Sequence, residues 1–324
     1  MQSASQKVPH TFAIAGGKGG IGKSFTSVHL SIALARRGYR TLLVDCDLGG
    51  SNLHTCLGIQ PPAVSFLDLL DAETPAQAAG VVVLTNEPNL RFVSGANDPL
   101  HVPLIKPAQR KRAIEQLRSL AGDVLVLDIG AGTSGDRVDF FLHADTGIAL
   151  TTPEPTAIEN AYRFLKAVFY RKLAQTPLNE KAKQYLSDLL YRTGAGKLPT
   201  PVQMVAGLRE LDPAGASALM AALDRLDLGL IINQLRIDAD RSLGTAMATA
   251  SRRYFGLTVH NFGEIRYDDL VWQSLRKRMP LYSFRPDAAA VADIERVADR
   301  LAGRLTVTSM VDQVEREQRA SQPV

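Results

Sequence analysis

The 324-residue chain is poor in cysteine and tryptophan, with two of the first and one of the second, and only 6% of it is aromatic. Cys46 and Cys56 cannot build a disulfide framework and form no CxxC pair, so nothing points to a stapled scaffold or to a thiolate metal or cluster site. A reducing compartment is the expectation. No run of about 18 apolar residues occurs, so no helix is expected to span a membrane. The opening MQSASQKVPH has no apolar core and reads as a flexible polar lead over residues 1–10, which makes the cytoplasm the expected location. Charge of one sign is also scarce: the formal net charge is +4. Basic clusters at Arg110-Lys111-Arg112, Arg252-Arg253 and Arg276-Lys277-Arg278 read as solvated helix faces, and contact with DNA is not favoured. The six histidines show no ligand spacing.

What the chain has is an alternation of apolar runs and helical stretches. With 45% hydrophobic residues it is long enough to bury a large core. Strands are predicted at 12–15, 41–44, 81–84, 90–93, 123–128, 146–151, 228–232 and 258–262. Most are separated by helical segments, which predicts right-handed crossovers and a three-layer α/β fold: a mostly parallel central sheet flanked by helices. One domain is expected over 11–305, with a helical tail at 306–324. After a helix from about Thr156 to Leu173, roughly fifty residues exceed an ordinary connection and read as a helical insertion at about 174–227. Leu178 to Tyr191 has helical spacing, Thr193 to Pro201 is a break, and Val202 to Leu226 reads as two short helices around Asp212-Pro213. The insertion either pads the surface or docks a partner.

Between the first strand and the first helix lies GGKGGIGKS, Gly16 to Ser24. Gly17, Gly22, Lys23 and Ser24 satisfy GxxxxGK[ST], in which main-chain N–H groups and the helix dipole cradle phosphates, the lysine reaches the terminal phosphates and the hydroxyl ligates Mg2+. A second lysine, Lys18, stands at the start of the loop, poorly placed to fold back on phosphates held there. Further on, strand 41–44 ends in Asp45-Cys46-Asp47, and strand 123–128 ends in Asp128 before Ile129-Gly130-Ala131-Gly132. Strand 228–232 ends in Asn233. Parallel sheets bind ligands at such carboxyl ends.

Lys18-Gly19-Gly20-Ile21-Gly22-Lys23-Ser24 resembles the deviant Walker A loop of the ParA/MinD ATPases, a P-loop NTPase family. Thr151-Thr152-Pro153-Glu154-Pro155-Thr156 and Asp128 to Asp136 are most like its MinD/FlhG branch, and the likeness covers about Phe12 to Tyr282 apart from the insertion. The resemblance implies Mg2+-dependent ATP hydrolysis, with ATP and ADP as the nucleotides. Ser24, Asp45, Asp47 and Asp128 are then the metal-side residues, Asp47 orienting the attacking water and Asp128 acting as the Walker B acid through water. It further implies an ATP-bound homodimer in which Lys18 crosses to the partner's nucleotide, with Asn52, Gly132 and Glu154 at the dimer-facing switch. Asn233 is the implied adenine contact, and the absence of an NKxD motif favours ATP over GTP. Phe262-Gly263-Glu264-Ile265-Arg266-Tyr267-Asp268 resembles the family's G-x-I-P-Y-D segment, with Arg266 in place of proline, and so Arg266 and Asp268 join the nucleotide-binding set. Phe25 follows the loop where many relatives carry a small hydroxyl residue.

Members of the MinD/FlhG branch position cellular structures or control their number and recruit partners to a membrane or cell pole. The tail here ends in VDQVEREQRASQPV, with no leucine-rich face beside lysines, so membrane contact is expected to be weak or absent. An activating or cargo protein is the expected partner. The alternative is a ParA-type ATPase that binds non-specific DNA for partition. An Mrp-like carrier would need a C-terminal CxxC, and a bacterial tyrosine kinase a tyrosine-rich tail; no tyrosine follows Tyr282.

Overall fold

The stretch HTFAIAG is apolar on both faces, as a strand covered by helices on both sides must be. In the computed structural model, which describes residues 8–48, 50–95, 105–191 and 199–320 and side chains as far as 305 apart from those of 190, 191 and 239, this stretch is β1 (His10–Gly16), buried throughout. Helix α1 (Lys23–Arg36) follows directly, and β2 (Thr41–Asp45) succeeds it. Short helices α2 (Leu53–Leu57), α3 (Phe66–Asp71) and α4 (Pro75–Gly80) lead to β3 (Val83–Leu84) and β4 (Leu90–Val93). Then come α5 (Pro107–Leu120), β5 (Val124–Ala131), α6 (Gly135–Leu142), β6 (Thr146–Thr151) and α7 (Pro155–Gln175). The sheet is completed by β7 (Asp227–Leu235) and β8 (Val259–Arg266).

Strand order is β3-β4-β2-β5-β1-β6-β7-β8, parallel except for the edge pair β3–β4. The expected strand at 81–84 is thus cut to Val83–Leu84 and turned antiparallel, because Val81 closes α4 as its C-cap. Alternation along β1 divides the core in two. Ala13 and Ala15 face a cluster with Leu117, Phe141, Phe164 and Phe169, whereas Phe12 and Ile14 face one with Leu30, Ile32, Ile294 and Leu301. The second layer is built from α1 and the long helix Ala289–Ala320, which is continuous where the sequence suggests two segments. His10 already belongs to β1, inside the expected lead; residues 1–7 and 321–324 lie outside the described set, as do the tail's side chains beyond 305.

The insertion forms α8 (Glu180–Tyr191), α9 (Pro201–Leu211) and α10 (Pro213–Asp224); of the expected break at 193–201, residues 193–198 lie outside the described residues and Pro201 already opens α9. Thr200 and Gln203 make a capping box ahead of α9, and Asp212 caps α10 by accepting from Gly215 N at 2.9 Å. Ala182, Met204, Leu208, Ala216 and Leu219 bury into the same cluster as α7, so the insertion shares the main core. An apolar groove of about 880 Å3 remains between α7, α8 and α9, lined by Tyr170, Leu173, Leu186 and Met204 among others. No helix among the described residues is long and apolar enough to cross a membrane.

Arg110 corrects the solvated-face reading of its basic cluster. Its side chain is 2% exposed and pairs with Asp136 and Asp139 of α6, and Arg171 of α7 completes the network through Asp139 at 2.6 Å. A buried guanidinium survives only when paired in this way. The network braces α6, which begins three residues after Gly132.

Candidate functional site

The carboxyl ends of β1, β2, β5, β7 and β8 gather on one edge of the sheet, where crossover connections leave a crevice. The loop from Gly16 to Lys23 closes over it. Gly22 caps α1 in the left-handed region at φ 88°, and a Cβ there would sit 2.3 Å from Asn233 Nδ2, so glycine is required twice over. Gly17, Gly19, Gly20 and Ile21 complete the turn, with Gly19 and Gly20 open to solvent. Lys23 is 8% exposed and lies inside the loop, its Nζ donating to Lys18 O at 3.1 Å. Burial lowers the pKa of this ammonium, and the carboxylates of Asp128 and Asp47 partly offset that.

Two acids stand side by side behind it. Asp45 and Asp128 are register partners on adjacent β2 and β5, both buried. Burial lifts Asp128 to about 7, and the neighbouring Asp45 adds to the rise, while hydrogen bonds from Ser27 (2.7 Å) and Ser24 and the charge of Lys23 oppose it. Asp45 is raised to about 6, again chiefly by burial. Its carboxylate accepts from Ser51 Oγ (2.9 Å), Asp47 N (3.0 Å), Asn52 N (3.1 Å) and Leu53 N (3.3 Å), which anchors these residues beside it and starts α2. Ser27 was missed from sequence, although its i+3 spacing from Ser24 on α1 puts both hydroxyls on one face.

Asp47 projects from the turn with 29% of its side chain exposed. It lies so close over Gly130 that a Cβ there would come within 2.4 Å of Asp47 Oδ1. Arg137, in the first turn of α6, approaches the same oxygen at 3.5 Å. Gly132, at φ 112°, joins β5 to the loop through its N–H on Gly16 O at 3.2 Å. Lys18 turns the other way: Nζ meets Glu154 Oε2 at 3.2 Å and Thr156 Oγ1 at 3.1 Å, with both partners of the ion pair substantially exposed. Asn52 is exposed at the start of α2.

The far end of the crevice is a cavity of about 490 Å3 walled by Gly22, Phe25, Asn233, Ile265, Tyr267 and Trp272, among others. Asn233 is buried and its Nδ2 donates to Ile21 O at 2.8 Å, which ties β7 to the phosphate loop. Phe25 packs on His29 with ring centroids 4.0 Å apart. His29 accepts from Leu281 N at Nε2 (2.8 Å) and its Nδ1 bonds Phe25 O, so this ring is neutral, and burial holds it at about 4. Arg266 and Asp268 line the cavity, but both side chains are engaged elsewhere. Arg266 Nε and Nη2 bind Asp293 at 2.8 and 3.0 Å, and Asp268 caps the helix Asp269–Arg276 by accepting from Leu270 N. Trp272 gave no sequence signal as a cavity residue, since nothing in its spacing distinguishes a wall from a surface.

The donor set fits Mg2+. A cation would relieve the mutual repulsion of the Asp45–Asp128 pair, and Ser24 supplies a hard oxygen beside Asp128. No group of three or more His, Cys, Asp or Glu side chains among the described residues could hold a metal alone. Mg2+ is suited to such a site, because it takes one or two protein oxygens and fills its shell with phosphate and water.

The chain is similar to several known proteins. The Antiactivator FleN of Pseudomonas aeruginosa is 32% identical over 167 residues, covering 51% of this chain and 58% of that protein. The Flagellum site-determining protein YlxH of Helicobacter pylori is 31% identical over 159 residues, or 48% of this chain and 52% of that one. The chain therefore spans little more than half the length of these relatives. The septum site-determining protein MinD of Pyrococcus horikoshii, solved with Mg-ADP, superposes with a TM-score of 0.60 at 22% identity, covering 92% of this chain and 98% of that one. A ParA family ATPase from Chlorobium tepidum gives 0.61 at 18% identity, over 90% and 98%. At these identities the structures establish the fold alone. Residues 12–281 match the CobQ/CobB/MinD/ParA nucleotide binding domain, and the chain belongs to that family.

Proposed function

We propose that the protein is a Mg2+-dependent ATPase that works as an ATP-driven dimerisation switch for the placement or number of a cellular structure. The observation that carries this reading is the divergence of the two loop lysines. Lys23 stays buried in the loop, whereas Lys18 points outward to an exposed contact with Glu154 and Thr156. An exposed ion pair is worth roughly 0–1 kcal/mol, so Lys18 exchanges Glu154 for the phosphates of a second subunit at little cost. Lys23 gives up Lys18 O and turns to the β- and γ-phosphates of its own nucleotide. Spread phosphoryl charge needs cations on several sides, and the two lysines supply them from opposite ones.

In this reading Ser24 and Asp128 would hold Mg2+, which would supply neutralisation of phosphate charge, while Asp45 fixes the loop that carries Asp47. Asp47 orients water in line with the γ-phosphate. Asn233 and the cavity beside it receive adenine. Loss of the γ-phosphate changes the contacts of Gly132, Asp47 and Asn52, and the dimer parts. Turnover is slow until a partner stimulates it, and the insertion at 174–227 is the surface we assign to that activating or cargo protein. The chain works in the cytoplasm and is brought to a pole or membrane by such partners. The names of FleN and YlxH, an antiactivator and a flagellum site-determining protein, support spatial control as the task.

Light scattering of Lys18→Ala with ATP and Mg2+ tests the switch. The expected result is ATP binding like that of the parent chain and no ATP-dependent dimer. A normal dimer would remove Lys18 from the interface and sink the sandwich arrangement.

A further inference from the structure

Arg266 stands where the family's G-x-I-P-Y-D segment has proline, and its guanidinium does not reach into the nucleotide cavity but turns to Asp293. It belongs to a second concavity. Arg266 is on the wall of a separate cavity of about 190 Å3, whose lining is mostly polar and includes Arg241, Arg296, Arg300, Glu264 and Asp293.

The local fold draws these groups together. The register between β7 and β8 slips between the Leu230–Asn261 and Ile231–Gly263 pairs, leaving a bulge. Asn261 spans it, its Oδ1 accepting from Gly263 N and its Nδ2 donating to Glu264 Oε1, each at 3.0 Å. Gly263 takes φ 127°, and a Cβ there would meet Arg300 Nη1 at 2.7 Å, so the missing side chain is what lets Arg300 lie against the strand. Asp293, 1% exposed, is shared by Arg266 and Arg296. Arg241 pairs with Asp238 outside the cavity at 2.8 Å. Arg300 has no hydrogen-bond or ion-pair partner among the described residues. Four guanidinium groups thus face two carboxylates, with one guanidinium uncommitted and Arg241 held only by an exposed pair.

We propose that this cavity is an anion site for a small phosphate group, either free phosphate or a phosphate monoester with a small substituent. Guanidinium forks match phosphate oxygens bidentately, and several converging on one cavity select a multiply charged tetrahedral anion over a monovalent one. The volume, less than half that of the cavity assigned to the base, excludes a second whole nucleotide. The site is independent of the ATPase reading.

Calorimetric titration of inorganic phosphate and of glycerol 3-phosphate into ADP-saturated protein tests it, because ADP blocks the phosphate loop. Saturable uptake that weakens at least about tenfold in Arg300→Ala, less in Arg300→Lys, with ADP affinity unchanged, is the expected result. Uptake of phosphate alone assigns a free anion, and stronger uptake of glycerol 3-phosphate assigns a monoester headgroup. No saturable uptake, or uptake equal in Arg300→Ala and Arg241→Ala to that of the parent, overturns the site. Duplex DNA binding through the same arginines without phosphate uptake also overturns it, in favour of a nucleic-acid surface. ADP binding is read in the same instrument; were it absent, the nucleotide reading would fall, and the titration would be repeated on Lys23→Ala to keep anions off the loop.

Discussion

The two ends of the crevice are built by different means. The phosphate end is made of main-chain turns, one buried lysine and two buried carboxylates on adjacent strands, tied by hydrogen bonds within the loops and from α1 across to β5. The base end is a mostly apolar cavity whose wall comes from segments more than 200 residues apart, Phe25 on α1 and Ile265 to Trp272 after β8. Its charged residues, Arg266, Asp268 and Asp269, are occupied by neighbouring structure. Charge placed by a rigid loop acts on the reacting atoms, whereas an apolar slot sorts ligands by shape, so under the proposed function the first end would set rate and the second selectivity.

That contrast is broken most forcefully at Asp47. Asp47→Ala is expected to lower ATP turnover by roughly 10²- to 10⁴-fold, as for loss of a group that directs proton transfer or water, and to trap the ATP dimer. Unchanged turnover in a phosphate-release assay would remove Asp47 from the mechanism. The next largest effect is Lys23→Ala, which removes one or more hydrogen bonds to charged oxygen at roughly 1.5–3 kcal/mol each and should weaken ATP binding about 10- to 100-fold or more. Equilibrium dialysis would expose a lysine that is merely structural by showing equal affinity.

A pH series sharpens the same end. Asp128 sits at about 7 and Asp45 at about 6, both above their ordinary 3.8. An acid whose folded pKa is raised keeps its proton in the folded chain after the unfolded chain has lost it. The nucleotide-free protein should therefore lose stability as pH rises from about 4 through 7, opposite to a salt-bridged carboxylate. Binding of Mg-nucleotide must expel the Asp128 proton, so affinity should rise with pH by up to about tenfold per unit below 7. A calorimetric affinity flat between pH 5.5 and 7 would contradict the carboxylate's part in metal binding, and Asp128→Asn should abolish most of the slope.

The smallest expected effect lies at the base end. Trp272 is the only tryptophan of the chain, so its emission reports the cavity directly. Adding ADP should change it, and Trp272→Ala should weaken ADP binding only a few-fold, in line with about 0.5–1.5 kcal/mol for an aromatic contact. Emission indifferent to saturating ADP would place the base elsewhere.

How much of this was legible differs between the ends. Gly16 to Ser24 carries its own geometry, because a strand, a glycine turn and a helix start are local, and Gly22 at φ 88° is a requirement written into one residue. Asp45 and Asp128 were readable as acids at strand ends. Their adjacency was not, since it depends on β2 and β5 being neighbours 83 residues apart in the chain. Arg110 misled for a related reason: RKR on an amphipathic helix looks solvated until Asp136 and Asp139 are brought beneath it. Arg266 is a plain departure from a motif in sequence and one wall of an arginine-lined cavity in space.

The sequence by itself determined the phosphate loop, the strand-terminal acids, the α/β alternation and the presence of a helical insertion, because each is set by local residue spacing and by the length of segments between strands. Only the tertiary structure decided which acids share a proton-holding pair, where Lys18 rests, what fills the base end and which arginines converge. Those follow from strand order and from desolvation, and desolvation depends on every element packed against a group and not on its neighbours in the chain.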